Sequence, residues 1–90
     1  MGQAFGVRLQ AEAAEQLRAL DSKVRRQIRS KLVWLGDHAE ELRHLPLHRD
    51  LAGLYKRRVG SYRIIYQVLR DDRVLVVHRI GHRRDVYDID

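Results

Sequence analysis

Three cations bracket a tight-turn signal: Lys56 and Arg58 precede Gly60-Ser61, and Arg63 follows it. A two-residue turn at Gly60-Ser61 sets Val59 opposite Tyr62 and Arg58 opposite Arg63. Directly paired residues share a sheet face, with Cβ atoms about 4.5–5.5 Å apart. Side chains alternate along a strand, so Lys56 joins that face. Two unit charges ~5.5 Å apart at an effective dielectric of about 20 repel by roughly 3 kcal/mol, less as the guanidinium groups splay. A chain selected only for stability avoids this pattern. A phosphate between the arginines reverses the sign, because the guanidinium fork matches phosphate oxygens. The competing role is an ion pair with Asp50, Asp71 or Asp72.

A second group of reactive residues follows the next turn. With Asp71-Asp72 at its tip, Arg63 falls opposite Ile80. Gly81 then lets the backbone leave the sheet, so that His82 and Arg83 reach back over the cationic face, with Tyr87 one helical turn on. The candidate site is Lys56, Arg58, Arg63, His82, Arg83 and Tyr87: cations, a candidate base and an aromatic plate, with no carboxylate pair. The same register sets Arg57 and Arg79 on the opposite face, with Tyr55, Ile64, Tyr66 and Val77. Either both lie at the sheet margin or a bulge shifts one strand. The other histidines, His38, His44, His48 and His78, lack metal-ligand spacing. His44 and His48 are four apart, but Pro46 between them argues against one helical face, and surface or loop positions are expected. No metal and no cofactor is expected.

The elements that position these residues are legible in the period. Phe5, Val7 and Leu9 alternate, as in a short strand. Residues 11–20 suit a helix with Ala14, Leu17 and Leu20 on one stripe. Asp21-Ser22 breaks it and offers a cap for a second helix, whose apolar face is Val24, Ile28, Leu32 and Leu35. Gly36 is expected to end it. Trp34 falls off the stripe and suits the edge of the core. Residues 37–52 read as a loop around Pro46, with a short helical turn at 38–43. From Gly53 the period becomes two, with strands at 54–59, 62–69 and 74–80. The expected fold is α+β. A strand and a helical hairpin precede a three-stranded antiparallel meander, in one sheet with both helices on one face.

The 90 residues suit a single domain, 1–90. The net charge of +6 favours an anionic partner. Residues 1–42 carry seven Lys/Arg against six Asp/Glu, whereas residues 43–84 carry eleven against three. A surface built only for solubility usually mixes signs, so the second half calls for a ligand. The absence of cysteine excludes disulfides, thiolate chemistry and cysteine zinc sites. No apolar run approaches a membrane span and no signal-peptide core is present, so a cytoplasmic protein is expected.

The stretch from Leu51 to Tyr66, with Gly53, Tyr55, Arg58-Val59-Gly60 and Tyr62-Arg63-Ile64-Ile65-Tyr66, resembles the RelE/ParE superfamily of bacterial toxins. The resemblance resumes at Val76-Val77-His78-Arg79-Ile80-Gly81-His82-Arg83-Arg84-Asp85-Val86-Tyr87 and is strongest toward RelE-type mRNA interferases. It implies a RelE-like fold. It also implies a type II toxin, a metal-independent endoribonuclease that cuts mRNA in the ribosomal A site and is silenced by a cognate antitoxin. By motif, Lys56 matches the family's first active-site lysine and Arg58 its second basic position. Arg63 matches the arginine of the Y-R pair, Arg83 the arginine after G-H or G-K, and Tyr87 the closing tyrosine. His82 sits where members carry lysine or histidine. Arg57 and Arg84 are expected to add RNA contacts, although Arg57 stands where an apolar residue is common. Some members continue beyond the point corresponding to Asp90.

Attack by a 2′-hydroxyl needs in-line geometry, a base, stabilised phosphorane charge and a proton for the leaving 5′ oxygen. Arg58 and Arg63 suit the phosphate, Arg83 the leaving group, and Tyr87 a splayed base or the sugar. Two bases compete. They are the Lys56 amine, beside Arg57 and Arg58, and the His82 imidazole. Two other functions use the same scaffold: a ParE-like, non-enzymatic toxin that inhibits DNA gyrase, and an inactive RNA-binding module. An acidic or amphipathic antitoxin segment suits the basic half of the chain.

Overall fold

The computed structural model describes residues 4–46 and 53–82. The chain runs β1 (Gly6–Leu9), α1 (Ala11–Ala19), α2 (Ser22–Asp37), β2 (Leu45–Pro46), β3 (Leu54–Val59), β4 (Tyr62–Leu69) and β5 (Val74–His82). The strands form one sheet in the order β1-β5-β4-β3-β2. The expected meander is present, and β1 adds to it in parallel, Gly6 beside Val74 and Leu9 beside Val77. β2 replaces part of the expected loop, setting Leu45 opposite Lys56 and Pro46 opposite Tyr55. Among the described residues no helix is long and apolar enough to cross a membrane.

Both helices bury their stripes on one sheet face. Ala13 and Leu17 of α1 and Ile28, Leu32 and Leu35 of α2 close over Ile64, Tyr66, Leu75, Val77 and Ile80. The α1 stripe is turned by one residue from the expected one, so Ala13 rather than Ala14 is fully buried. Asp21 caps α2 by accepting a hydrogen bond from the Val24 amide at 3.0 Å. The cap matters because α2 opens with Lys23, Arg25 and Arg26 and has no acid in its first turn. Cations there oppose the helix dipole. Asp21→Ala removes the acceptor and its negative charge together, and a loss of about 1 kcal/mol is expected in chemical denaturation.

Gly36 does not terminate α2, which continues to Asp37. It is a contact glycine. The Phe5 amide donates to its carbonyl at 2.9 Å, and a Cβ at this position would lie 2.6 Å from the Phe5 carbonyl oxygen. Its missing side chain lets α2 touch the backbone entering β1.

Register carries the site. β3 and β4 pair as the Gly60-Ser61 turn dictates, with Val59 opposite Tyr62 and Arg58 opposite Arg63. Gly60 takes φ +58°, which a side chain would strain. β4 and β5 keep the expected register from Leu69–Val74 to Tyr66–Val77. A bulge at His78 then moves it by one, so Ile65 faces Arg79, Ile64 faces Ile80 and Arg63 faces Gly81.

Candidate functional site

Lys56, Arg58 and Arg63 emerge from the sheet face opposite the helices, since their neighbours Tyr55, Val59, Tyr62 and Ile64 pack into the core. β3 and β4 supply all three, and the glycine turn locks the strands in the register that sets Arg58 against Arg63. Arg63 is 8% exposed and Arg58 is exposed. Ile65 is also buried on this face, so an apolar floor lies beside the cations. Asp71 and Asp72 lie at the far end of β4, roughly 25 Å from Arg63 along the strand, which excludes them as partners. Asp50 lies outside the described residues.

The bulge redistributes the second group. Gly81 and His82 do not leave the sheet; they extend β5, and Gly81 stays opposite Arg63. His82 therefore shares the face of Tyr62, with their rings perpendicular and 5.5 Å apart. It lines a cleft with Gln16, Leu20, Tyr62 and Ile80, on the helix side of the sheet. The expectation that His82 turns back over the cations is corrected accordingly. The backbone of Arg79 pairs with Ile65, and at the β5 edge beyond β1 its side chain meets Glu12 of α1 at 3.4 Å. Past the end of β1, the Ile80 amide donates to the Gln16 side-chain oxygen at 2.7 Å, which satisfies the open edge of β5. Arg83, Arg84 and Tyr87 lie outside the described residues.

Arg57 stays on the helix side, opposite Ile64. Its guanidinium lies beside the fully buried Tyr66 hydroxyl and 5.7 Å from the Trp34 ring, and its Nε is buried with no hydrogen-bond partner among the described residues. Burial pushes the Tyr66 phenol above its ordinary value, against the opposing charge and hydrogen bond of Arg57. Residue spacing gives His44 no role, yet the structure builds it into this network. The ring lies 2.6 Å from the Tyr66 hydroxyl through Nδ1 and 2.8 Å from the Ala39 carbonyl through Nε2. A carbonyl only accepts, so Nε2 carries a proton, and in the neutral ring Nδ1 accepts from Tyr66. Tyr55 packs against both rings, 5.4 Å from His44 and 5.9 Å from Tyr66. This network braces β3 from behind, between the residues that face the other way as Lys56 and Arg58. Its sequence signal was the shared parity of Tyr55, Arg57 and Tyr66.

The comparisons bear on the whole arrangement. A family model described as the ParE toxin of type II toxin-antitoxin system, parDE, matches residues 7–87. The chain belongs to this toxin family. The toxin RelG of Mycobacterium tuberculosis is 40% identical to this family member over 42 residues, which is 47% of the chain and 48% of RelG. The matched segment thus spans about half the length of that relative. Among solved structures, the M. tuberculosis toxin-antitoxin complex RelBE2 is similar with a TM-score of 0.82 and 25% identity, covering 92% of this chain and 95% of that one. A double-arginine mutant of the E. coli toxin RelE in its free state has a TM-score of 0.77 and 27% identity, covering 97% and 94%. The intact E. coli RelBE complex has a TM-score of 0.64 and 30% identity, covering 88% and 96%. Two helices on a five-stranded mixed sheet are thus the fold of RelE toxins, and this type II toxin belongs to the RelE/ParE superfamily.

Proposed function

We propose that this toxin is a ribosome-dependent endoribonuclease that cuts mRNA in the A site. The observation that carries the reading is Arg58 directly opposite Arg63 with Lys56 on the same face. Such a face suits a phosphate passing from one to two negative charges. Arg58 and Arg63 hold the scissile phosphate and its developing charge. Lys56 is the base that takes the proton of the attacking 2′-hydroxyl. Arg83 supplies the proton side of the leaving 5′ oxygen, and Tyr87 stacks on the neighbouring base. Lys56 is preferred to His82 as base because its strand parity matches that of the two arginines. The ribosome supplies the in-line positioning of the RNA. The partner is a cognate antitoxin, as in the RelBE complexes, with an acidic or amphipathic segment over the cationic face, and the site of action is the cytoplasm.

A second reading, inhibition of DNA gyrase, is favoured by the ParE description of the matching family. It leaves the cationic face without a task. The deciding experiment maps mRNA 5′ ends in a reconstituted translation system, for wild type and Arg83→Ala, with and without ribosomes. Cuts at A-site codons that need both ribosomes and Arg83 are expected. Folded protein that makes no cuts but blocks gyrase supercoiling overturns the reading.

A further inference from the structure

The outer face of α2 has a composition that neither the core nor the helix explains. Residues 22–37 carry five Lys/Arg and a single acid, Asp37 at the far end. Lys23, Arg26, Gln27, Ser30, Lys31 and Trp34 recur at helical spacing and line one open groove of about 600 Å³. The stripe is about 16 Å long. A face serving only solubility mixes signs, and a helix tuned for stability places its cations at the other end. The groove also continues toward the candidate site. The Trp34 ring holds the Lys31 ammonium 4.3 Å from its centre and the Arg57 guanidinium 5.7 Å from it. Arg57 lies between Lys56 and Arg58, whose side chains emerge on the opposite face of β3. Among the described residues β2 pairs with β3 only at Tyr55 and Lys56, and the β3 edge at 57–59 lies between the two surfaces.

We infer that the α2 stripe binds the phosphate backbone of the single-stranded RNA whose scissile phosphate lies on the Lys56 face. The strand crosses the rim of β3 at Arg57 and follows Lys31, Arg26 and Lys23. The occupant follows from the chemistry of the groove. Its cations are spaced along a line, and the side chains between them, Gln27 and Ser30, are neutral hydrogen-bonding groups suited to phosphate and sugar oxygens. Trp34 is the single aromatic group lining it and stacks on His38. This inference rests on the endoribonuclease reading for the identity of the strand.

The test is fluorescence anisotropy of a short labelled single-stranded RNA, titrated from about 0.05 to about 0.2 M salt. Arg83→Ala is the background throughout, which keeps the RNA intact. Against it, Lys23→Gln/Arg26→Gln/Lys31→Gln is compared with a control of equal charge loss, Arg8→Gln/Arg18→Gln/Arg70→Gln, at exposed positions elsewhere. Each phosphate contact on a single strand contributes about 0.7 to the slope of log K against log salt. The stripe variant is expected to lower the slope by about 2 and to weaken binding at low salt about tenfold or more, while the control stays near the parent. Equal thermal melting of the variants shows that the helix is intact. An unchanged slope, or a loss matched by the control, overturns the inference. Failure of the endoribonuclease reading appears separately, in the 5′-end assay on protein with an unaltered stripe.

Discussion

Arg63→Ala is expected to lower ribosome-dependent cleavage about 10²–10³-fold, the usual cost of losing one donor that stabilises transition-state charge. Arg63 is 8% exposed and opposite Arg58, so its guanidinium has little freedom to move aside for a passing anion. Its aim is set in advance, and that is the condition under which an electrostatic group acts without reorganising. Arg63→Lys keeps the charge and loses the fork. It is expected to recover part of the rate, with the remaining deficit in kcat rather than in mRNA binding. Arg58→Ala is expected to behave differently in one respect. It removes one member of a like-charged pair from an exposed position, so the thermal midpoint is expected to stay level or rise while cleavage falls. Single-turnover cleavage on programmed ribosomes and a melting curve for each variant check both statements. Full activity in Arg63→Ala would exclude the arginine pair from the chemistry.

Tyr66→Phe is expected to cost about 1–3 kcal/mol at neutral pH, because one hydroxyl serves two partners. His44 Nδ1 loses its donor and the Arg57 guanidinium loses a neighbour it bonds, both behind the strand that carries Lys56 and Arg58. The sign of the pH dependence follows from burial. The folded state holds the Tyr66 proton to higher pH than the unfolded chain does, where a tyrosine titrates near ~10. Its contribution is therefore whole below about pH 10 and is lost as the pH rises through the folded value. Wild type is expected to lose stability on this limb, and the phenylalanine variant lacks that component. The gap between the two should narrow from neutral pH to about pH 11 in urea unfolding. A gap that widens would place the ionised phenolate in the folded state.

The parts legible in the sequence are those set by local period or by one decisive turn. The stripe of Val24, Ile28, Leu32 and Leu35 specifies α2, and Gly60-Ser61 specifies the Arg58–Arg63 pairing, because a two-residue turn leaves one register. The parts that were not legible depend on partners distant in sequence. The bulge was signalled only by the conflict that an unshifted register put Arg79 on the core face, and its place at His78, which exchanges the faces of Arg79 and His82, is a property of the pairing with β4. Gly36 looks like a terminator until the Phe5 carbonyl is set against it. Leu45–Pro46 is too short a strand to carry a period. His44 looks like a loop residue because its partners, Ala39 and Tyr66, are joined only by the fold.

The parallel pairing of β1 with β5 has a consequence for the timing of synthesis. Gly6 waits for Val74, so the first strand of the sheet cannot be seated until the last has emerged. The β3–β4 hairpin and the α1–α2 pair consist of neighbouring segments and have low separation in the chain, but the core they share is closed by Leu75, Val77 and Ile80 of β5. Folding is thus gated by its longest-range contact. A nascent or truncated chain that stops before β5 carries the paired arginines without the packed core that holds them in place. For a toxin, this makes synthesis of β5 a condition of harm.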